Sequence, residues 1–247
     1  MGRRPSSLDA LVAQLQQRYG LRAARLATAL PQPSPPAVLP TGDASLDVTL
    51  PHEGLPRDAL TELVGPRSAG VTSQAPAFGE LACLLDLGHS FAPTAVAHAS
   101  VDLAALALAR PADGAETALT VATLLARRAV GVLVIDSLPA WLALPKGPAA
   151  LAALRTRLPR LLQASGCALL VLHPLPTGLL PDPAHVGQAA LAALTALRLR
   201  LAHRGWLRHG PVIVGSRTQV TVLEPPFAEP VASVAIKLTL ARGEDQA

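Results

Sequence analysis

A short run with apolar ends, Leu60-Thr61-Glu62-Leu63-Val64, stops abruptly at Gly65-Pro66-Arg67-Ser68-Ala69-Gly70-Val71-Thr72. Two glycines five positions apart, with a hydroxyl residue two places further on, have the spacing of a loop whose backbone N–H groups curl around phosphates. Such a loop constrains the fold, because it sits between a buried strand and the N-terminus of a helix. The chemistry also asks for a lysine after the second glycine, to meet the β- and γ-phosphates, and for a Ser or Thr to hold Mg²⁺. Thr72 is in place, but the lysine position is Val71, which offers neither charge nor donor. Arg67 is the nearest cation, at a loop position that points outward in this motif. The plainer alternative is a Gly-Pro turn between a strand and a helix.

The rest of the chain supplies a context for that loop. Val132-Leu133-Val134-Ile135-Asp136-Ser137 is an apolar strand that ends in an aspartate placed to hold Mg²⁺. Short apolar strands are expected at 60–64, 130–136 and 167–173, and a weaker one at 94–98. Helices are expected at 74–87, 115–128, 149–164 and 189–194. Leu197, Leu199 and Leu201 alternate with Arg198 and Arg200, the period of two of a strand, and two more alternating strands are expected at 219–223 and 234–240. Strand–helix alternation followed by strands alone predicts an α/β core: a mostly parallel central sheet flanked by helices, with an antiparallel C-terminal edge. No internal repeat is visible.

Upstream, Leu8, Leu11, Val12 and Leu15 form one stripe of a helix from about residue 8 to 18, closed by Gly20. Pro31-Gln32-Pro33-Ser34-Pro35-Pro36 can be neither helix nor central strand. The expected organisation is a helical arm at 1–30, a linker at 31–37, a core at 38–241 and a short acidic tail at 242–247.

Half of the 247 residues are apolar, yet only 2% are aromatic, so the core must be built from Ala, Leu and Val. Charged residues make up 15%, below the roughly 25% of an average soluble domain. Either a partner covers part of so apolar a surface or the bias is compositional. The net charge of +4 is compatible with nucleic acid or an acidic partner and proves neither. Cys83 and Cys167 lie in apolar runs and read as buried thiols in a reducing compartment. No stretch resembles a secretory signal or reaches the ~18 apolar residues of a membrane span, so a cytoplasmic protein is expected. His98 and His173 lack a third residue spaced to complete a metal site. His203, Arg204, Trp206 and His209 read equally as a base-stacking basic patch or as a solvated hairpin turn.

In order and spacing the chain resembles the bacterial RecA recombinase family. Leu39-Pro40-Thr41-Gly42-Asp43-Ala44-Ser45-Leu46-Asp47 is similar to that family's lead-in to the core. Gly54-Leu55-Pro56-Arg57, Leu60 to Gly70, Pro111 to Leu119 and Asp136-Ser137 are similar to later motifs. The resemblance implies a RecA-like phosphate-loop core, with the N-terminal helix as a polymerisation arm. Its nucleotide site would comprise Gly65, Arg67, Gly70, Val71, Thr72 and Asp136. The departures cluster in that machinery. Besides Val71, the family's catalytic glutamate, expected near Ala97-His98-Ala99-Ser100-Val101, has no counterpart, and His173 stands where its γ-phosphate-sensing glutamine belongs. The first DNA-binding loop is shortened at 142–147, and the second, between His173 and Gln188, is proline-rich without a cation.

Degenerate Ala/Leu/Arg-rich chains of this kind resemble the ImuA proteins of the DNA-damage response. That resemblance implies a non-catalytic adaptor without a cofactor or metal, binding RecA and a translesion polymerase-like protein. Partner contact would run through Leu8, Leu11, Val12 and Leu15. Residual ATP binding, weak DNA contact and self-association stay open. The rival readings are an ATP-dependent recombinase or remodeller with an atypical loop, and an inhibitor of cell division.

Overall fold

In a computed structural model, the structure describes residues 7–20, 37–66, 80–91, 103–175, 191–223 and 230–239. The chain divides into two compact units, Met1–Pro36 and Ala37–Ala247. In the first, α1 (Ser7–Tyr19) has Asp9 in its opening turn and Arg18 in its last, each favourable to the helix dipole. Leu8 and Leu11 are exposed, while Val12 and Leu15 are half-buried.

The second unit is built on an eight-stranded sheet. Its strands are β3 (Leu60–Pro66), β4 (Ala82–Asp86), β5 (Leu106–Ala109), β6 (Val132–Asp136), β7 (Ala168–Leu175), β8 (Thr195–His209), β9 (Val212–Leu223) and β10 (Pro230–Thr239). The order is β10-β9-β8-β3-β7-β6-β4-β5. All neighbours from β8 to β5 run parallel, while β9 and β10 add an antiparallel edge. A separate two-stranded ribbon pairs β1 (Val38–Leu39) with β2 (Leu55–Pro56). The α/β fold expected from the sequence is therefore the fold observed.

Strand alternation sorts the core onto two faces. Leu63, Leu84, Val134, Leu170, Leu199 and Val222 pack on one face with Leu46 of α2 (Ala44–Thr49). Leu85, Leu133, Ile135, Leu169 and Val171 pack on the other. There they meet Val121 and Leu125 of α3 (Gly114–Ala126), Trp141 of α4 (Leu138–Ala143), Leu151 of α5 (Gly147–Arg155) and Leu162 of α6 (Leu158–Ser165). Strands buried on both faces read as continuous apolar runs, which is why β6 and β7 were legible.

The motifs that carried the resemblance have local physical jobs. Asp43 caps α2, accepting from the backbone N–H groups of Ser45 and Leu46 at 2.9 and 3.1 Å, and Asp47 Oδ1 accepts from Thr41 N at 2.8 Å. Asp113 caps α3 by accepting from Glu116 N at 2.8 Å, while Glu116 Oε2 accepts from Ala112 N, just before the cap, at 2.7 Å.

Several local expectations are corrected. The segment expected as helix 74–87 ends as strand β4, packed between β6 and β5; residues 74–79 lie outside the described residues, as does the strand expected at 94–98. The helix expected at 149–164 is two, α5 and α6, with Pro159 in the first turn of α6. Of the helix expected at 189–194, only Leu191 is described as helical, and a turn follows it. His203 to His209 is strand, with the hairpin turn at Gly210 and Pro211.

Candidate functional site

In an open parallel sheet, ligands bind beyond the C-terminal ends of the strands. Here that edge brings together Gly65 and Pro66 of β3, Asp86 of β4, Asp136 of β6 and His173 of β7. His173 pairs with Val64 and is buried within its strand. Arg67, Gly70, Val71 and Thr72 lie outside the described residues, so of the expected nucleotide-site residues the structure places Gly65 and Asp136.

Gly65 is required by the sheet itself. A Cβ there would stand 2.4 Å from the carbonyl oxygen of Leu201 on β8. Only glycine lets β8 pass this close at the mouth of the loop.

The acid pair at the edge was only half anticipated. Asp86 and Asp136 are register partners on adjacent strands, both fully buried. Two neighbouring buried carboxylates need partners. Arg110, just beyond β5, reaches Asp86 Oδ2 through Nε at 2.9 Å and through Nη2 at 2.8 Å. Ser90 ties the two acids together: its backbone N–H donates to Asp86 Oδ1 at 2.7 Å and its hydroxyl to Asp136 Oδ2 at 3.1 Å. The backbone N–H of Leu87 donates to the Asp136 carbonyl at 2.7 Å. Asp136 is followed by a cis peptide to Ser137, which caps α4 by accepting from Ala140 N at 3.4 Å.

The segment 97–101, where a water-orienting carboxylate was expected, lies outside the described residues; the strand beside β6 ends at Asp86 and leads into Leu87-Gly88-His89-Ser90. That segment has no Glu either. Sequence reasoning missed Asp86, Ser90 and Arg110; the one available signal was an aspartate closing the apolar run 82–85, the pattern that exposed Asp136. After Asp136-Ser137, α4 passes to α5 through Leu144, Pro145 and Lys146. Among the described residues no cluster of His, Cys, Asp and Glu could hold a metal, and no helix is long and apolar enough to cross a membrane.

A family model described as the RecA N-terminal domain matches residues 6–148. The chain is similar to Protein RecA of Rhodococcus opacus, at 38% identity over 56% of this chain and 41% of that protein. It is 37% identical to Protein RecA of Rhodococcus jostii and 34% identical to that of Clavibacter michiganensis, over 56% of this chain in each case and 41% and 40% of theirs. It thus spans less than half the length of these curated relatives.

Proposed function

Since the chain belongs to the RecA N-terminal domain family, we propose that it keeps the RecA-like scaffold as a non-catalytic adaptor in DNA-damage-induced translesion synthesis. The observation that carries this reading is Val71 at the position of the phosphate-loop lysine. Without that cation, the charge developing on a transferred phosphoryl group goes unmatched. The edge chemistry supports the same reading. Asp136, the acid suited to Mg²⁺, already accepts from the Ser90 hydroxyl, and Asp86 is committed to Arg110.

In this proposal the helix α1 docks on a RecA-fold protomer through Leu8, Leu11, Val12 and Leu15, and the core presents a surface to a polymerase-like partner. An arm acts this way with or without a working ATP site. The test is co-purification of RecA with the full chain and with residues 37–247. The full chain should retain RecA and the truncated one should not. Equal retention by both would overturn the arm as the docking element.

A further inference from the structure

Strands β8, β9 and β10 contain five arginines and one lysine and neither an Asp nor a Glu. One of the cations, Arg198, is buried and paired: its Nε lies 2.7 Å from Glu62 Oε2. The other five, Arg200, Arg204, Arg208, Arg217 and Lys237, form no ion pair with a described carboxylate.

Register shows how four of these are arranged. Residues directly opposite in an antiparallel pair share a face of the sheet. Arg200 lies opposite Thr221, and Thr221 opposite Ser233; Ala202 lies opposite Gln219, and Gln219 opposite Ala235; Gly205 lies opposite Arg217, and Arg217 opposite Lys237. Leu207 opposite Gly215 and His209 opposite Val212 continue the same face to the hairpin tip. Arg204, at the bulge, joins it through its bond from Nε to Gln219 Oε1 at 2.7 Å. The result is a face on which the small residues Ala202, Gly205, Gly215 and Ala235 and the central Gln219 lie among Arg200, Arg204, Arg217 and Lys237, with Arg217 on the middle strand between Gly205 and Lys237. Half-buried Leu207 and exposed Val212 lie at its end. Arg217 and Lys237 are exposed like charges facing each other across a strand pair, which a sheet does not adopt for stability.

We infer that this face docks an acidic segment of a partner protein, with carboxylates on the four cations and an aliphatic side chain on Leu207 and Val212. The charge is complementary to such a segment. Single-stranded nucleic acid fits less well, because it uses aromatic platforms for its bases. The only ring on the described face is the His209 imidazole at the hairpin tip; Trp206 lies opposite Ser216 on the other face, against the His203 ring with centroids 4.4 Å apart. The inference is independent of the state of the ATP site.

The test is fluorescence anisotropy on the full chain with two labelled probes, a peptide alternating Glu and Leu and a deoxythymidine oligomer of similar charge. The peptide should bind, and Arg217→Glu with Lys237→Glu should weaken it at least tenfold. Arg217→Ser, a milder change that relieves the like-charge contact, should weaken it severalfold without lowering the melting temperature. The control pair Arg127→Glu with Arg160→Glu, equal in charge change and lying at the C-terminal cap of α3 and on α6, should leave binding unchanged. Peptide binding that is absent, or equally weakened by the control pair, would overturn the proposal. So would an oligomer that binds more tightly and loses affinity through the same two residues, which would assign the face to nucleic acid.

Discussion

At Gly65 a single position meets two demands. The loop needs a residue without a side chain where phosphate would approach, and β8 needs one because the Leu201 carbonyl lies in the way. The second demand holds whether or not nucleotide binds, so packing alone is enough to keep this glycine. Gly65→Ala should therefore destabilise the core by about 2 kcal/mol or more, read by chemical denaturation. An unchanged midpoint would show that the close approach to β8 is not fixed. Glu62 and Arg198 are coupled more tightly. Both are buried, and the Thr195 hydroxyl lies 3.1 Å from Glu62 Oε1. Removing one partner strands the other charge, so Arg198→Met should cost about 3–5 kcal/mol, and Glu62→Leu added to it should restore much of the loss. Burial pushes the Cys83 thiol up to about 11 and the Cys167 thiol up to about 12. A thiol with so raised a value is protonated and unreactive at neutral pH. Both cysteines should resist a thiol-specific disulfide reagent in the native state and react fully once unfolded.

At the scale of elements, legibility followed residue type. Strand β6 announced itself because Val132, Val134 and Ile135 are β-branched. Strand β4, Ala-Cys-Leu-Leu-Asp, and strand β5, Leu-Ala-Leu-Ala, carry no β-branched residue, and short apolar runs of this kind are ambiguous between strand and helix. That ambiguity hid the acid-bearing strand, and with it Asp86, Ser90 and Arg110, whereas Asp136 was readable from its own sequence. The break between α5 and α6 follows Pro159, which has no N–H to continue a helical ladder. Helix α3 makes a further prediction. Asp113 is held below its usual carboxylate range, chiefly by the hydrogen bond from Glu116 N and then by Lys146, 3.4 Å away. A lowered folded value means stability that is present above the ordinary aspartate range and lost as pH falls through the folded value. Asp113→Ala should therefore lower the melting temperature at neutral pH, and the gap from the wild type should close in strong acid. A gap that does not depend on pH would show that the cap acts without its charge.

For the molecule as a whole, the mostly parallel sheet flanked by helices is a RecA-like core, while the residues at its C-terminal edge are turned inward on one another. Arg110, Asp86, Ser90 and Asp136 form a continuous chain of contacts, and Val71 stands at the phosphate-loop lysine's position in the sequence. In the proposed reading, fold and function separate: apolar alternation keeps the scaffold, while ATP chemistry depends on a few charged positions, one of which Val71 occupies. The most direct test is steady-state ATP hydrolysis by the full chain with Mg²⁺, with and without single-stranded DNA, beside an Asp136→Ala variant. The account predicts no turnover above background in either condition and no difference between the two proteins. DNA-stimulated turnover that Asp136→Ala abolishes would contradict it and make the chain a working ATPase with an unorthodox loop.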